Sequence, residues 1–373
     1  MIKNRASKNI IIFFCIFIAE TGILFAALPK KNYSAYEKRY LAARPSLSVS
    51  SVEDGSFSEG FEKYLADHTP FRTFFVAVNA YFELIKGNNG SNGVYLGREG
   101  WLIAKPPERN NRLTENLNRI KAFTEKSGIP AYMIAIPSKG YIYSEYLPGN
   151  SMEYRDGEYL ALIKNELGSC LEYIDIDPAL KKDKDEKLLY FKTDHHWTAD
   201  GAFTAYREFC RAKGFYIPDE KEYTIREIPD FYGTSYSYSC YMLTKPDTLR
   251  IYESDRQNDI RVEITEGKEI KTNNSMIFEE RLKEEDKYTA FLDGNHSLVT
   301  IETGKSGGNL LVIKDSFAHC LVPFMAENYG KIVMIDLRYY KNDLSELIAK
   351  ENIDEMIFIY GTENLATSRD IVF

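Results

Sequence analysis

From about residue 94 onward, apolar positions fall into two recurrent patterns: short dense runs that suit buried strands, and wider spacings that suit one face of a helix. Ala131-Tyr132-Met133-Ile134-Ala135-Ile136 is a continuous apolar run closed by Pro137. Glu172-Tyr173-Ile174-Asp175-Ile176, Leu310-Leu311-Val312-Ile313, Ile332-Val333-Met334-Ile335 and Met356-Ile357-Phe358-Ile359-Tyr360 have the same character. Helical spacing predicts helices over 112–127, 157–168, 317–329 and 342–350. This alternation predicts an α/β fold, a mostly parallel sheet with helices on its faces. Residues 217–303 break the rhythm with short alternating runs such as Arg261-Val262-Glu263-Ile264, which predict an antiparallel or irregular insertion serving as a lid or acceptor platform.

Toward the N-terminus, Asn9 to Leu28 form an apolar run of 20 residues, preceded by Lys3, Arg5 and Lys8. As a helix it reaches roughly 30 Å, the thickness of a bilayer core. Cleavage as a signal peptide near Ala26 and Ala27 would set Leu24 or Phe25 where a small residue is wanted, so an uncleaved anchor is preferred. Glu20 costs about 2–3 kcal/mol in lipid and faces a partner helix or an interface, or is simply tolerated beside Thr21 and Gly22. Lys30, Lys31, Lys38, Arg39 and Arg44 on the far side leave the orientation open by the positive-inside rule. Lys30 to Val52 reads as an extended polar linker, followed by a helix pair broken at Pro70 whose apolar positions include Phe61, Leu65, Phe74, Phe75, Val78, Phe82 and Ile85. Val94-Tyr95-Leu96 and Trp101-Leu102-Ile103 predict a hairpin around Gly97-Arg98-Glu99-Gly100. The expected organisation is a cytoplasmic tip and anchor over 1–28, a linker over 29–57 and one domain over 58–373.

Composition narrows the function. The chain has 373 residues, 44% hydrophobic and 14% aromatic, enough for a substantial core. Its 27 tyrosines suit a sugar-binding surface or half-buried packing. The first 28 residues carry +2, so of the chain's −8 the remainder holds −10, which argues against nucleic acid as a partner. Cys170, Cys210, Cys240 and Cys320 are widely spaced, without metal-ligand spacing, and three disulfide pairings remain open; Cys15 belongs to the apolar run. No metal or cofactor is expected.

The candidate chemistry lies in Thr193-Asp194-His195-His196-Trp197-Thr198 and Lys314-Asp315-Ser316-Phe317. A serine becomes nucleophilic when a histidine takes its proton and a carboxylate holds the imidazole. In an extended Asp194-x-His196, positions i and i+2 point to one side, so Asp194 is expected to orient His196 while His195 faces away. The plainer reading is a polar turn capping the helix that begins near Ala199. Ser316 follows a predicted strand and precedes a predicted helix, the ligand-binding edge of an open α/β sheet. There the helix N-terminus suits an oxyanion, although an ordinary Asp/Ser cap has the same residues.

These motifs, together with Glu37-Lys38-Arg39-Tyr40-Leu41-Ala42-Ala43-Arg44-Pro45, Asp67-His68-Thr69-Pro70-Phe71-Arg72 and Gly97-Arg98-Glu99-Gly100-Trp101-Leu102, resemble the DHHW family. That family is similar in turn to SGNH-hydrolase-like proteins that O-acetylate alginate and other exopolysaccharides. The resemblance implies an SGNH-like fold with permuted motif order and a triad of Asp194, His196 and Ser316. It also implies a polysaccharide acceptor, and an acetyl donor delivered by a membrane-bound O-acyltransferase of the MBOAT class. The C-terminal carbohydrate-binding module of some relatives is absent before Phe373, so strong polysaccharide retention is not expected. The Gly361-to-Asn364 turn is similar to the SGNH block whose asparagine completes the oxyanion hole, which assigns that role to Asn364.

Further candidates are Asn295 as an oxyanion or sugar donor, or a plain turn residue, and Lys139 and Tyr143 after a strand end, where a solvated lysine is the plainer reading. Arg338, Tyr339 and Tyr340 leave another strand at the same edge. The expected protein is a single-pass cell-membrane O-acetyltransferase with its domain outside the cytoplasm. A carbohydrate acetyl esterase with the same triad, and a non-catalytic scaffold of an exopolysaccharide-modifying complex, are the alternatives.

Overall fold

The computed structural model describes residues 2–34 and 39–373; Met1 and residues 35–38, among them Glu37 and Lys38 of the motif noted above, lie outside the described residues. The apolar run forms one helix, α1 (Ile2–Ala27), whose segment Ser7–Ala27 has the length and mean hydropathy, 2.5, of a single-pass anchor or a signal sequence. Helices α2 (Ser56–His68) and α3 (Arg72–Ile85) follow. They part where expected: Thr69 is extended, as a residue before proline favours, and Phe71 is left-handed with φ 58°.

Eight strands build the main sheet: β1 (Ala131–Ile136), β2 (Glu172–Tyr173), β3 (Arg261–Glu266), β4 (Glu269–Asn273), β5 (Leu298–Glu302), β6 (Asn309–Lys314), β7 (Lys331–Ile335) and β8 (Glu355–Gly361). Their order is β4-β3-β5-β7-β6-β8-β1-β2. Pairing is parallel from β7 through β2 and antiparallel among β4, β3, β5 and β7, so the sheet is mixed. Residues 217–303 thus supply three strands to the sheet, besides the separate pair Thr224–Phe231 and Asp247–Glu253.

The pleat divides the core. Met133, Leu311, Val333 and Phe358 pack under helices α4 (Arg112–Ser127), α5 (Asp156–Leu167) and α7 (Leu344–Glu351). Ile134, Val312, Met334 and Ile357 face the other way, toward Phe203, Tyr206 and Phe209 of α6 (Ala199–Lys213). Strands buried on both faces account for the continuous apolar runs.

One predicted element differs. Instead of a helix over 317–329, the chain makes a 3₁₀ turn, Ser316–Cys320, and a four-residue helix, Val322–Met325. Pro323 has no N–H to bond the carbonyl of His319, so a continuous helix fails there. The macrodipole behind Ser316 is correspondingly short.

Leu311 is fully buried in a central strand, whereas Ile270 on edge strand β4 is 62% exposed. Leu311→Ala is expected to lower stability by about 2–5 kcal/mol and Ile270→Ala by under about 0.5 kcal/mol, read from urea unfolding midpoints. Equal losses would contradict this burial pattern.

Candidate active site

Four parallel strands bring polar groups to one edge of the sheet. In spatial order, β7 ends before Asp336 and Arg338, β6 before Asp315 and Ser316, β8 before Glu363 and Asn364, and β1 before Ser138 and Lys139. The Asp194–His196 turn reaches this edge from outside the sheet. Lys139 holds it there: its buried ammonium donates to the carbonyls of Phe191 (3.0 Å), Lys192 (3.3 Å) and Asp194 (2.6 Å). Burial pushes its pKa down to about 8, against the opposing pull of Asp194 and Asp247.

Every member of the Thr193–Thr198 motif has a definable bonding role. Thr193 gives its N–H (2.7 Å) and hydroxyl (2.6 Å) to Asp247 Oδ2. Asp194 Oδ1 accepts from the backbone N–H of His196 at 2.9 Å and lies 2.6 Å from its Nδ1. Trp197 Nε1 donates to the carbonyl of Phe317 at 2.9 Å, and the Thr198 hydroxyl caps α6 by accepting from Gly201 N–H. His196 Nε2 lies 2.7 Å from Ser316 Oγ, closing a continuous chain of hydrogen bonds from carboxylate through imidazole to hydroxyl. Tyr288 stacks on the His196 ring at 4.0 Å and donates its hydroxyl to the carbonyl of Ser316 at 3.2 Å.

The local geometry differs from an extended segment. Residues 192–196 form a bend, and the His195 ring lies 3.7 Å from that of His196 rather than facing away. The expected division between the histidines arises otherwise: His195 Nδ1 meets Thr234 Oγ1 at 2.6 Å, and its side chain is 39% exposed against 7% for His196. Asp194, His195 and His196 also offer ligand atoms within 4.8 Å of one another, as a metal site would. A metal on His196 Nδ1 would displace the Asp194 hydrogen bond.

Asp315 organises the serine side. Its Oδ1 accepts from Phe317 N–H (3.0 Å), and its Oδ2 from Gly361 N–H and Asn364 Nδ2 (both 2.7 Å). Asn364 therefore stands beside the serine turn with one of its two amide hydrogens already given. Asn295 lies in a neighbouring ionic cluster, where its carbonyl oxygen accepts from Arg338 Nη2 (3.0 Å) and Lys314 Nζ (3.4 Å). Arg338 and Lys314 both pair with buried Asp336. Tyr143 and Tyr340 are buried, Tyr143 bonding the Lys187 carbonyl and Leu189 N–H, while Tyr339 is 51% exposed. Lys139 is a buried brace rather than a solvated loop lysine. The five cysteines are free, and buried Cys320 contacts Tyr288 OH.

Several contributors escaped sequence reasoning. Thr234 donates its N–H to Asp194 Oδ2 at 2.7 Å, and a Cβ at Gly233 would meet that carboxylate at 2.2 Å, so this close approach requires glycine. Neither carries a local signal, since both reach Asp194 through the tertiary fold. Glu363 lines a cavity of about 50 Å³ with Lys139, His195, Phe317, Gly361 and Asn364. Burial, with Asp156 nearby, raises its pKa to about 8.

The folded chain thus keeps a proton on Glu363 that an unfolded chain loses near pH 4.5. Between those values the native state binds more protons, so this group's contribution to stability falls as pH rises. Glu363→Gln is expected to flatten the decline of the urea midpoint between pH 5 and pH 8; an unchanged slope would contradict the assignment.

The site lies within a recognisable sequence unit. The family model described as DHHW protein matches residues 157–335. Among curated relatives, the probable alginate O-acetylase AlgJ of Pseudomonas aeruginosa is 22% identical over 159 residues, 40% of this chain and 41% of that protein. The protein of the same name in Pseudomonas syringae pv. tomato is 21% identical over 181 residues, 46% of each. The chain therefore spans less than half the length of the curated relatives it matches. Among solved structures, a DHHW family protein from Eubacterium siraeum superimposes with TM-score 0.65 and 24% identity, covering 75% of this chain and 94% of that one. Bacillus cereus PatB1, solved with a sulfonyl adduct, gives TM-score 0.64 and 22% identity over 74% and 97%. These likenesses establish a shared fold. Asp194, His196 and Ser316 all fall inside residues 157–335, the stretch that matches the DHHW family model, and the chain is similar in sequence to the AlgJ proteins.

Proposed function

We propose that this protein is a serine-dependent O-acyltransferase that acetylates a cell-surface or secreted polysaccharide. The observation that carries the reading is the buried relay, Asp194 to His196 at 2.6 Å and His196 to Ser316 at 2.7 Å. It is supported by sequence similarity to proteins named as probable alginate O-acetylases.

In this mechanism Ser316 Oγ attacks the acyl carbonyl of the donor while His196 Nε2 takes the hydroxyl proton, and Asp194 keeps the imidazolium oriented. Asn364, with its second amide hydrogen, is the proposed donor to the oxyanion. Collapse expels the donor's leaving group, which receives the proton from His196, and leaves an acyl ester on Ser316. A sugar hydroxyl then loses its proton to His196, attacks that ester and frees Ser316. The small cavity beside Phe317 and Gly361 offers apolar room for a short acyl group. The polysaccharide is the acceptor, the domain over 58–373 lies outside the cytoplasm, and α1 anchors it. A second membrane protein of the MBOAT class supplies the acyl group.

Ser316→Ala, His196→Ala and Asp194→Ala should each reduce acetyl transfer by about 10⁴-fold with folding intact, whereas His195→Ala retains much of it. An aryl sulfonyl fluoride should label the parent at Ser316 and spare the Ser316→Ala variant, read by intact mass. Glycan acetylation that survives Ser316→Ala would replace this reading with a scaffold.

Water stands at about 55 M, a concentration that a well-oriented sugar hydroxyl exceeds in effective molarity. Given an activated acetyl ester, the protein is expected to form acetyl-Ser316 and pass it to an oligosaccharide faster than to water, followed by mass spectrometry of protein and sugar. Acetate as the sole product across a panel of glycans would make the protein an esterase.

A further inference from the structure

Helix α3 is apolar on both sides. Its inner side, Ala77 and Ala80 with Val76 and Leu84, packs on Val94, Leu102 and Tyr241. A second stripe runs along its outer side through Phe71, Phe74, Phe75, Val78, Phe82 and Ile85, all 43–81% exposed. Spacings of three and four residues place Phe74, Phe75, Val78, Phe82 and Ile85 on one face of the helix, with Phe71 just before its first turn. The patch continues onto Leu243, 83% exposed, whose N–H bonds Tyr81 OH, and on α2 Phe61 and Leu65 are 37% and 38% exposed. A contiguous apolar surface of this kind marks a contact with lipid or protein.

Two features bind this surface to the anchor. Aromatic rings of α1 meet the hairpin directly, Phe17 against Phe75 at 6.2 Å and Phe25 against Tyr64 at 5.9 Å. Phe17 lies at the middle of the Ser7–Ala27 span, so α3 runs alongside the span rather than beyond its end. The corner between α2 and α3 is also fastened to the segment that follows α1. Asp67 accepts from Arg39 Nη1 (3.0 Å) and Nη2 (2.5 Å) and from Ala42 N–H (2.8 Å), and His68 Nε2 lies 3.0 Å from the Ala42 carbonyl. The guanidinium of Arg39 holds the Asp67 carboxyl down at about 2, and Arg72 adds to this. This pairing is what a charged corner requires in a low-dielectric interface. At the other end of the stripe Lys86 extends over Phe82, as a cation at a headgroup boundary does.

We propose that the α2–α3 hairpin is a second membrane contact, its outer face of phenylalanines embedded in the leaflet from which α1 emerges. This rests on α1 being retained as a membrane span. The hairpin holds the domain close against the bilayer instead of leaving it on a free tether, and gives the Asp67–Arg72 motif a physical role: its charges clamp the anchor's exit while Phe71 enters the apolar layer.

The test uses the full chain in phosphatidylcholine vesicles with brominated acyl chains, which quench tryptophan on contact. Single reporters are placed at Phe82→Trp, at Ile23→Trp in α1 and at the exposed Tyr339→Trp, with the emission of the parent chain subtracted. Emission at 82 should be lost to a degree similar to that at 23, with 339 unaffected. Loss at 23 with 82 as bright as 339 overturns the docking while leaving the anchor in place, and assigns the face to a protein partner. No loss at 23 or 82 overturns the anchor and the docking together.

Discussion

A buried ammonium ion surrounded by carbonyl oxygens supports the site. Lys139 lies just past the end of β1, next to the last strand of the sheet, and donates to three carbonyls of the segment 191–194, which belongs to no strand or helix. Removing that cation would take a donor from the buried carbonyls of Phe191 and Asp194, each at a cost of about 1–3 kcal/mol, while the Lys192 carbonyl keeps the N–H of Leu102. The lysine bears its own desolvation cost, visible in its lowered pKa. The position of Asp194, and through it that of His196, depends on this charge on the sheet edge.

The serine side answers with a carboxylate. Asp315 gathers two backbone N–H groups and the Asn364 amide from β8, so the turn at Ser316 is tied to the neighbouring strand rather than to a long helix. Trp197 and Tyr288 then connect the two halves through the carbonyls of Phe317 and Ser316. Each half is set by buried, directional bonds, which is how a short Nε2-to-Oγ approach is maintained. The segment 217–303 takes part in this, contributing Thr234, Asp247 and Tyr288 as well as three strands.

At the opposite end of the chain, hydrophobic surface and ion pairing combine differently. The α2–α3 corner presents phenylalanine outward while its charges turn toward the segment after α1. A soluble surface does the reverse, with charges outward and aromatic rings inward.

The sequence alone determined the elements whose pattern is local. Continuous apolar runs located β1, β6, β7 and β8, and 3.6-residue spacing located α4 and α5, because burial on both faces or on one stripe is written at successive positions. That Asp194, His196 and Ser316 come together was legible from their residue types and motifs, although the reason for choosing His196, an extended segment, is not the one the bend provides. Tertiary structure alone decided the rest. The pairing of β3 with β5 and of β5 with β7 joins segments about 30 or more positions apart, and the break in the helix after Ser316 follows from where Pro323 falls. Lys139 became a brace, Asn295 an acceptor for two cations, and Gly233 and Thr234 supports for Asp194, because hydrogen bonds between residues 19 to 55 positions apart leave no periodicity for a local pattern to reveal.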